Sequence, residues 1–401
     1  MIDTVIVIPT YWTWGRDKPK GPHKAFFDHP TPLDGESTLP RLLDSLTKIA
    51  QGRGLVSWGR PPFAVLVLTA TVHAALAHAA EKRVNEIIAP FQKSFPIVQF
   101  TTGDLAVLHQ RLQDYHCDGL VPFLSLRSYA GVRNCQLVVP YVLGAGMVVA
   151  LDDDETVPSD YWHHVHRAVG TSQAGARIVG VAGPYLDAKG SYLLPEHPRT
   201  GNIFLDKSAI LNEATRTMQQ ETGQLVRSNM AFGGNMVFHR DLFARIGFDP
   251  GIARGEDMDY LINARLQGFD FWFDWRLAVT HLPPDVYQSS NYSKLRQDVM
   301  RFVYEREKLR QAGADPAQFD PYPGRFMRED LEAQALEALQ KLATPADVAR
   351  FGSPQEVMAA ARRQADEVPH YSAAAEQWAH CVETLGHDPL LQDHWAAKLL
   401  L

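Results

Sequence analysis

The chain has 401 residues, room for one large domain or for a domain with an appendage. Its 45% hydrophobic and 21% charged residues are ordinary for a soluble globular protein, and the net charge of −7 argues against a broad nucleic-acid or anionic-membrane surface while allowing a local basic pocket. Cys117, Cys135 and Cys381 are too few and too scattered for a disulfide framework or a zinc site, so reduced thiols and a cytoplasmic setting are expected.

The amino terminus opens on Thr4–Ile8 (TVIVI), a short apolar run preceded by Asp3, which has neither the basic start nor the length of a secretory leader. No run approaches the ~20 apolar residues that cross a bilayer. Val5–Ile8 is therefore the expected first strand, closed by Pro9, Thr10 and Tyr11. The stretch from Trp12 to Thr38 is rich in Pro, Gly, Lys and His and is either a lid or a surface insertion. Leu39, Leu42, Leu43, Leu46 and Ile49 then recur at helical spacing. Further on, Ala64–Leu68 is the second strand, Thr71–Ile88 a helix and Ile97–Phe100 a third strand. This alternation is that of βαβ units.

The most telling stretch is Met147–Pro158, MVVALDDDETVP. An apolar run that breaks into Asp152, Asp153, Asp154 and Glu155 reads as a buried central strand with its acids at the carboxyl end, where open α/β sheets bind ligands. Adjacent acids repel one another, and a hard divalent cation with oxygen ligands explains their company. Downstream, Gly233-Gly234 permits close backbone approach to a ligand, though an isolated pair is an ordinary turn. Glu256-Asp257 opens an amphipathic helix, which suits either helix-dipole complementarity or a catalytic carboxylate. Phe269–Arg276 alternates like a strand that continues through Leu277–Thr280 to His281, just before Leu282-Pro283-Pro284. The aromatics there read as core, with Trp272 and Trp275 also able to flank a sugar. From about Tyr287 strand patterns give way to helices, two with clear start signals at Thr344-Pro345 and at Ser353-Pro354-Gln355-Glu356.

Taken in order, a strand ending in Asp-x-Asp, then Gly-Gly, then Glu-Asp opening a helix, then a strand ending in His resembles the GT-A glycosyltransferases, the family 2-like group above all, over roughly residues 1–285. The Arg127–Asn134 segment (RSYAGVRN) is similar to that family's Arg-Asn helix. The resemblance implies an α/β, Rossmann-like GT-A domain over 1–286, with a mixed, mostly parallel sheet and flanking helices, and a helical appendage over 287–401. It implies a nucleoside-diphosphate-sugar donor, Mn²⁺ or Mg²⁺ on its diphosphate, and transfer of a hexose to an acceptor hydroxyl by an inverting route, with no nucleic-acid partner and no transmembrane segment.

Carried across by residue, Asp152 and Asp154 match the metal-binding Asp-x-Asp, and His281 matches a third metal ligand used by some members. Asp153 matches a residue holding ribose or sugar hydroxyls, and Pro9, Thr10 and Tyr11 match the segment lining the nucleobase pocket. Asp257, with Glu256 as alternative, matches the base that deprotonates the acceptor. Either Arg133 or the basic residues Arg16, Lys18, Lys20 and Lys24 are expected to meet charge developing on the diphosphate in a closed site. One departure is plain: the second strand ends Leu68-Thr69-Ala70-Thr71 with no acid for the nucleobase, and Asp104 is the expected substitute.

Two rivals stand beside this reading. Asp152-Asp153-Asp154-Glu155-Thr156-Val157 also fits the D-x-D-x-T-V signature of haloacid-dehalogenase-like phosphatases, with Asp152 as nucleophile. That fold needs a downstream lysine and a second acidic strand end, for which Gly255–Asp259 is the only candidate. The other rival is a non-catalytic nucleotide-sugar-binding protein that kept the fold and lost turnover.

Overall fold

The computed structural model describes residues 3–15, 27–52, 62–173, 175–284 and 290–399. Its first half alternates β1 (Thr4–Thr13), α1 (Leu39–Ala50), β2 (Ala64–Thr71), α2 (Ala77–Ile88), β3 (Ile97–Phe100), α3 (Thr102–Asp114), α4 (Tyr129–Val142) and β4 (Met147–Leu151). β3, β2, β1 and β4 lie side by side and parallel. Beyond β4 the sheet continues through β6 (Gly180–Ala182), β8 (Leu225–Arg227), β9 (Asn235–His239) and β10 (Trp272–Asp274) after the short β5 (Glu155–Thr156) and β7 (Tyr185–Leu186). Its order is β8-β10-β6-β9-β4-β1-β2-β3, and β9 runs antiparallel to both β4 and β6. A small second sheet places β11 (Val279–His281) between β7 and β5. The result is a mixed, mostly parallel α/β sheet with flanking helices and a helical carboxyl-terminal region.

Both faces of the central strands are buried, which is why β1 and β4 read as unbroken apolar runs. Val5, Val7, Leu66 and Val148 point to one face, and Ile6, Ile8, Val65 and Val149 to the other, as the two-residue period of a strand requires. α1 and α2 cover the second face through Leu42, Leu43, Leu46, Val84 and Ile88. Pro9 does not close β1, which runs on to Thr13 beside β2. On its other side the pairing with β4 ends at Val7, so a residue without an N–H fits at position 9.

The expected aromatic strand is broken in two. β10 and β11 belong to different sheets, with Leu277 N bonded to Asp274 O in the turn between them. Strand-like alternation survived the break because Phe271, Trp272 and Phe273 are all buried, on both faces. Trp272 is therefore core, and Trp275 packs on Phe273 and Tyr192 rather than against a ligand cleft.

The helical region includes α6 (Asn291–Ala312), capped by Ser290 and ended by Gly313 in the left-handed conformation, and a helix over Pro354–Ala365 with the expected Ser353–Glu356 capping box. The expected boundary at 286/287 falls outside the described residues. Described residues on either side share one core, which runs from Val5 through Phe302, Trp378 and Trp395 to Leu399. Cys117 and Cys381 are joined as a disulfide across 264 residues of sequence, with Cα atoms 5.9 Å apart. This corrects the expectation of reduced thiols, for only Cys135 is free and it is buried. Spacing along the chain carries no sign of a pair assembled by tertiary packing, and the cytoplasmic expectation loses the support it drew from those thiols. Among the described residues no helix is long and apolar enough to cross a membrane.

Candidate functional site

A cleft of about 760 Å³ opens at the carboxyl ends of β1 and β4. The β1–β4 register, with Val7 opposite Ala150, carries Thr10 alongside Asp153, and Thr10 Oγ1 donates to Asp153 Oδ2 at 2.6 Å. Asp152, Asp153 and Asp154 all line the cleft, while Glu155 turns inward and accepts from Asp152 N at 3.0 Å. Burial and mutual repulsion raise three of these acids: Asp152, Asp153 and Glu155. Such a cluster lacks positive charge.

Part of that charge comes from Arg133, in the first half of α4 and almost wholly buried. Its Nη2 donates to Asp152 Oδ1 at 2.8 Å, and its Nε lies 3.6 Å from Glu256 Oε1. One guanidinium thus touches both acidic groups that the sequence singled out. Its neighbour Asn134 is structural, bridging the carbonyls of Phe123 and Phe248.

Gly233 and Gly234 form the turn into β9. Gly233 N donates to Asp257 Oδ2 at 3.0 Å, and Gly234 N donates to the Tyr185 hydroxyl at 2.7 Å. A Cβ on Gly234 would fall 2.3 Å from Glu155 Oε1 and 2.6 Å from Asp152 Cγ, so the backbone approaches the acids as closely as glycine permits. Glu256 and Asp257 start a helix, α5 (Glu256–Leu266), with Gly255 in the left-handed conformation before it. Burial and the neighbouring Asp257 push the Glu256 carboxyl up to about 7, against the pull of Arg133.

His281 ends β11 opposite Glu155 of β5, and its Nε2 stands 3.2 Å from Asp154 Oδ2. Among the described residues no three His, Cys, Asp or Glu side chains converge as a metal cage of their own. The expected trio therefore does not close, because Asp152 is turned toward Arg133 while Asp154 faces His281. An ion that keeps waters and takes substrate phosphates needs only one or two protein carboxylates. The donor set fits an open site of that kind, with Asp154 and His281 as its nearest pair.

Tyr11 lines the cleft, with its ring against Phe27 and Tyr129, whereas Pro9 does not. Asp104 is a correction. It forms a capping box with Thr101 at the start of α3, and its carboxylate is taken by Lys398 at 2.5 Å and His394 at 2.8 Å, away from the cleft. Arg16, Lys18, Lys20 and Lys24 lie outside the described residues. The sequence reading missed His29, beside His281, and Tyr185, whose ring lies 5.2 Å from that of His281. It also missed a basic wall built by Lys207, Arg254, Lys294 and Arg301, for none of these has a distinctive local pattern.

No family model matches the chain, and no curated protein matches it. Among solved structures it is similar to the mannosyltransferase PcManGT from Pyrobaculum calidifontis in complex with GDP-Man and Mn²⁺, at 14% identity over 96% of this chain and 86% of that one, TM-score 0.42. It is similar to GalNAc-T7 with UDP, GalNAc and Mn²⁺ at 13% identity, covering 92% of this chain and 58% of that one, TM-score 0.40. A mycobacterial protein matches at 14% identity over 78% of this chain and 75% of its own, TM-score 0.38. At these identities and scores nothing about activity passes from those proteins to this chain.

Proposed function

We propose that this protein is a metal-dependent glycosyltransferase that moves a hexose from a nucleoside-diphosphate sugar to an acceptor hydroxyl with inversion. The observation that carries this reading is the placement of two separate acidic groups in one cleft, Asp152–Asp154 with His281 and Glu256–Asp257, with Arg133 touching both. Asp257 or Glu256 takes the acceptor proton as the acceptor oxygen attacks the anomeric carbon. The sugar–phosphate bond breaks on the opposite face, and its electron pair leaves with the nucleoside diphosphate. Asp154 and His281 would hold Mn²⁺ or Mg²⁺, which would supply Lewis-acid stabilisation of that leaving group, while Asp152 anchors Arg133 beside them. Arg133, itself almost wholly buried, adds a fixed positive charge beside Asp152. Gly233 and Gly234 let the backbone approach the donor, Asp153 is offered to its hydroxyls, and Thr10 and Tyr11 sit on the nucleoside side.

Incubation with a panel of nucleotide sugars, Mn²⁺ and hydroxyl acceptors, read as free nucleoside diphosphate, tests the reading. Release that depends on metal and acceptor supports it. Inorganic phosphate released from phosphomonoesters, with no nucleoside diphosphate from any donor, would replace it with the phosphatase chemistry.

A further inference from the structure

The cleft has a second charged end. Contacts run in sequence along its wall: His281 to Asp154, Asp152 to Arg133, Arg133 to Glu256, then Gly255 O to Arg301 Nη1 at 3.5 Å. Beyond them Arg254 Nη1 and Lys207 Nζ share one carboxylate, Asp298, at 3.1 and 2.6 Å. Glu256 therefore stands between an acidic end and a basic end.

The basic end is short of negative charge. Asp298 serves two cations, Asp28 takes Arg254 Nε at 3.0 Å, and Lys294 has no ion-pair partner among the described residues. Arg301 Nε is buried without a hydrogen-bond partner, and its nearest carboxylate among the described residues, Glu305 at 3.6 Å, is pushed up by burial against the pull of Arg301. Burial, only partly offset by Asp298 and reinforced by Arg254 and Arg301, brings Lys207 down to about 8. Four partly buried cations kept against so few carboxylates are costly to fold unless an anion joins them.

We propose that the acceptor carries an oxyanion, a phosphate or a carboxylate, that seats on Lys207, Arg254, Lys294 and Arg301 and presents its hydroxyl to Glu256 and Asp257. This rests on the transferase reading for the word acceptor. The anion seat itself rests on the wall alone. Lys294 acts on His29 beside His281, so the seat adjoins the metal end, and the variants below separate it from the seat of the donor's diphosphate.

Calorimetry on the full chain without metal or nucleotide, using glucose, glucose 6-phosphate and glucuronate, tests the seat. One or both anions should bind and glucose should not, and the two anions separate phosphate from carboxylate. Lys207→Met and Lys294→Met should each weaken that binding by about tenfold or more, as the loss of a charge-assisted contact does. With a productive donor, kcat/KM should favour the charged acceptor over glucose by about 10- to 100-fold. Equal binding of glucose and both anions overturns the seat while leaving metal-dependent release of nucleoside diphosphate intact. Binding of an anion that disappears in both variants, with no nucleoside diphosphate released from any donor, upholds the seat and overturns the transferase reading. Variants that weaken nucleoside-diphosphate binding but not anion binding would give the wall to the donor and overturn the proposal.

Discussion

His281 Nε2 and Asp154 Oδ2 face each other at 3.2 Å although 127 residues separate them in the chain (281 less 154). Backbone pairing holds the contact in place, since Leu282 N donates to Asp154 O at 2.7 Å. If this pair is the core of an open metal site, Asp154→Ala removes a charged ligand from a site with few, and transfer and metal-dependent nucleotide binding should fall to background. His281→Ala should raise the metal concentration needed for half-maximal activity, because the neutral imidazole is only one ligand. Titration of activity with Mn²⁺ checks both, and undiminished wild-type activity after exhaustive EDTA treatment would sink the metal assignment.

Glu256 and Asp257 are separable by pH. Burial and the Asp257 charge raise Glu256 to about 7, and a base works only when deprotonated. If Glu256 is the base, kcat/KM should rise through about pH 7, and Glu256→Gln should remove that limb with about two to four orders of magnitude in turnover. If Asp257 is the base, the same loss follows Asp257→Asn instead, with nucleotide affinity kept. Near-normal turnover in both variants would exclude an inverting mechanism that uses this pair.

The parts of the site legible in sequence were those whose meaning is local. The acids follow an apolar strand, the Glu-Asp pair follows a glycine, and Ser353 and Glu356 cap the helix between them as their spacing predicts. What could not be read were partners from distant segments. Nothing near Asp104 shows that Lys398 will take its carboxylate, and nothing near Asp298 shows that Lys207 and Arg254 will share it. A continuous period also hid the break between β10 and β11, because residues buried on both faces alternate no differently from those of one strand.

Gly234 is the position where backbone space matters most. In Gly234→Ala the new methyl would meet Glu155 Oε1, the Tyr185 hydroxyl and Asp152 Cγ, all inside 2.7 Å. The acids must move, at a cost of about 1–3 kcal/mol in stability. Activity should fall more than stability alone explains, because Asp152 is one of the groups displaced. Urea unfolding beside initial rates measures the two effects, and an unchanged midpoint would show that the turn has room.

Asp104 carries an acid-dependent part of the stability. Burial would raise its carboxyl, but hydrogen bonds from Lys398, Thr101 and His394 hold it below the usual carboxylate range. A depressed native value means that the stabilisation is complete above the unfolded value of about 3.9 and fades as pH falls through the native one. Lys398→Met should cost about 1–2 kcal/mol at pH 7, the half-exposed lysine keeping the figure below that of a fully buried pair. Its stability profile should be flatter at acid pH than that of the wild type, as denaturant midpoints between pH 3 and 7 would reveal.

The last helix, Pro389–Leu399, has a protective consequence. β3 is the end strand of the parallel half of the sheet, the place where an exposed ladder invites pairing with another molecule. Trp395 stacks on Phe100 of β3 with ring centroids 5.5 Å apart, and Lys398 Nζ donates to Gln99 O at 3.3 Å, so a free backbone acceptor of that strand is already occupied. A chain ending at Asp388 would keep the cleft and the Cys117–Cys381 bond but bare this rim, and self-association into sheet-rich aggregates would compete with native folding before any chemistry was lost.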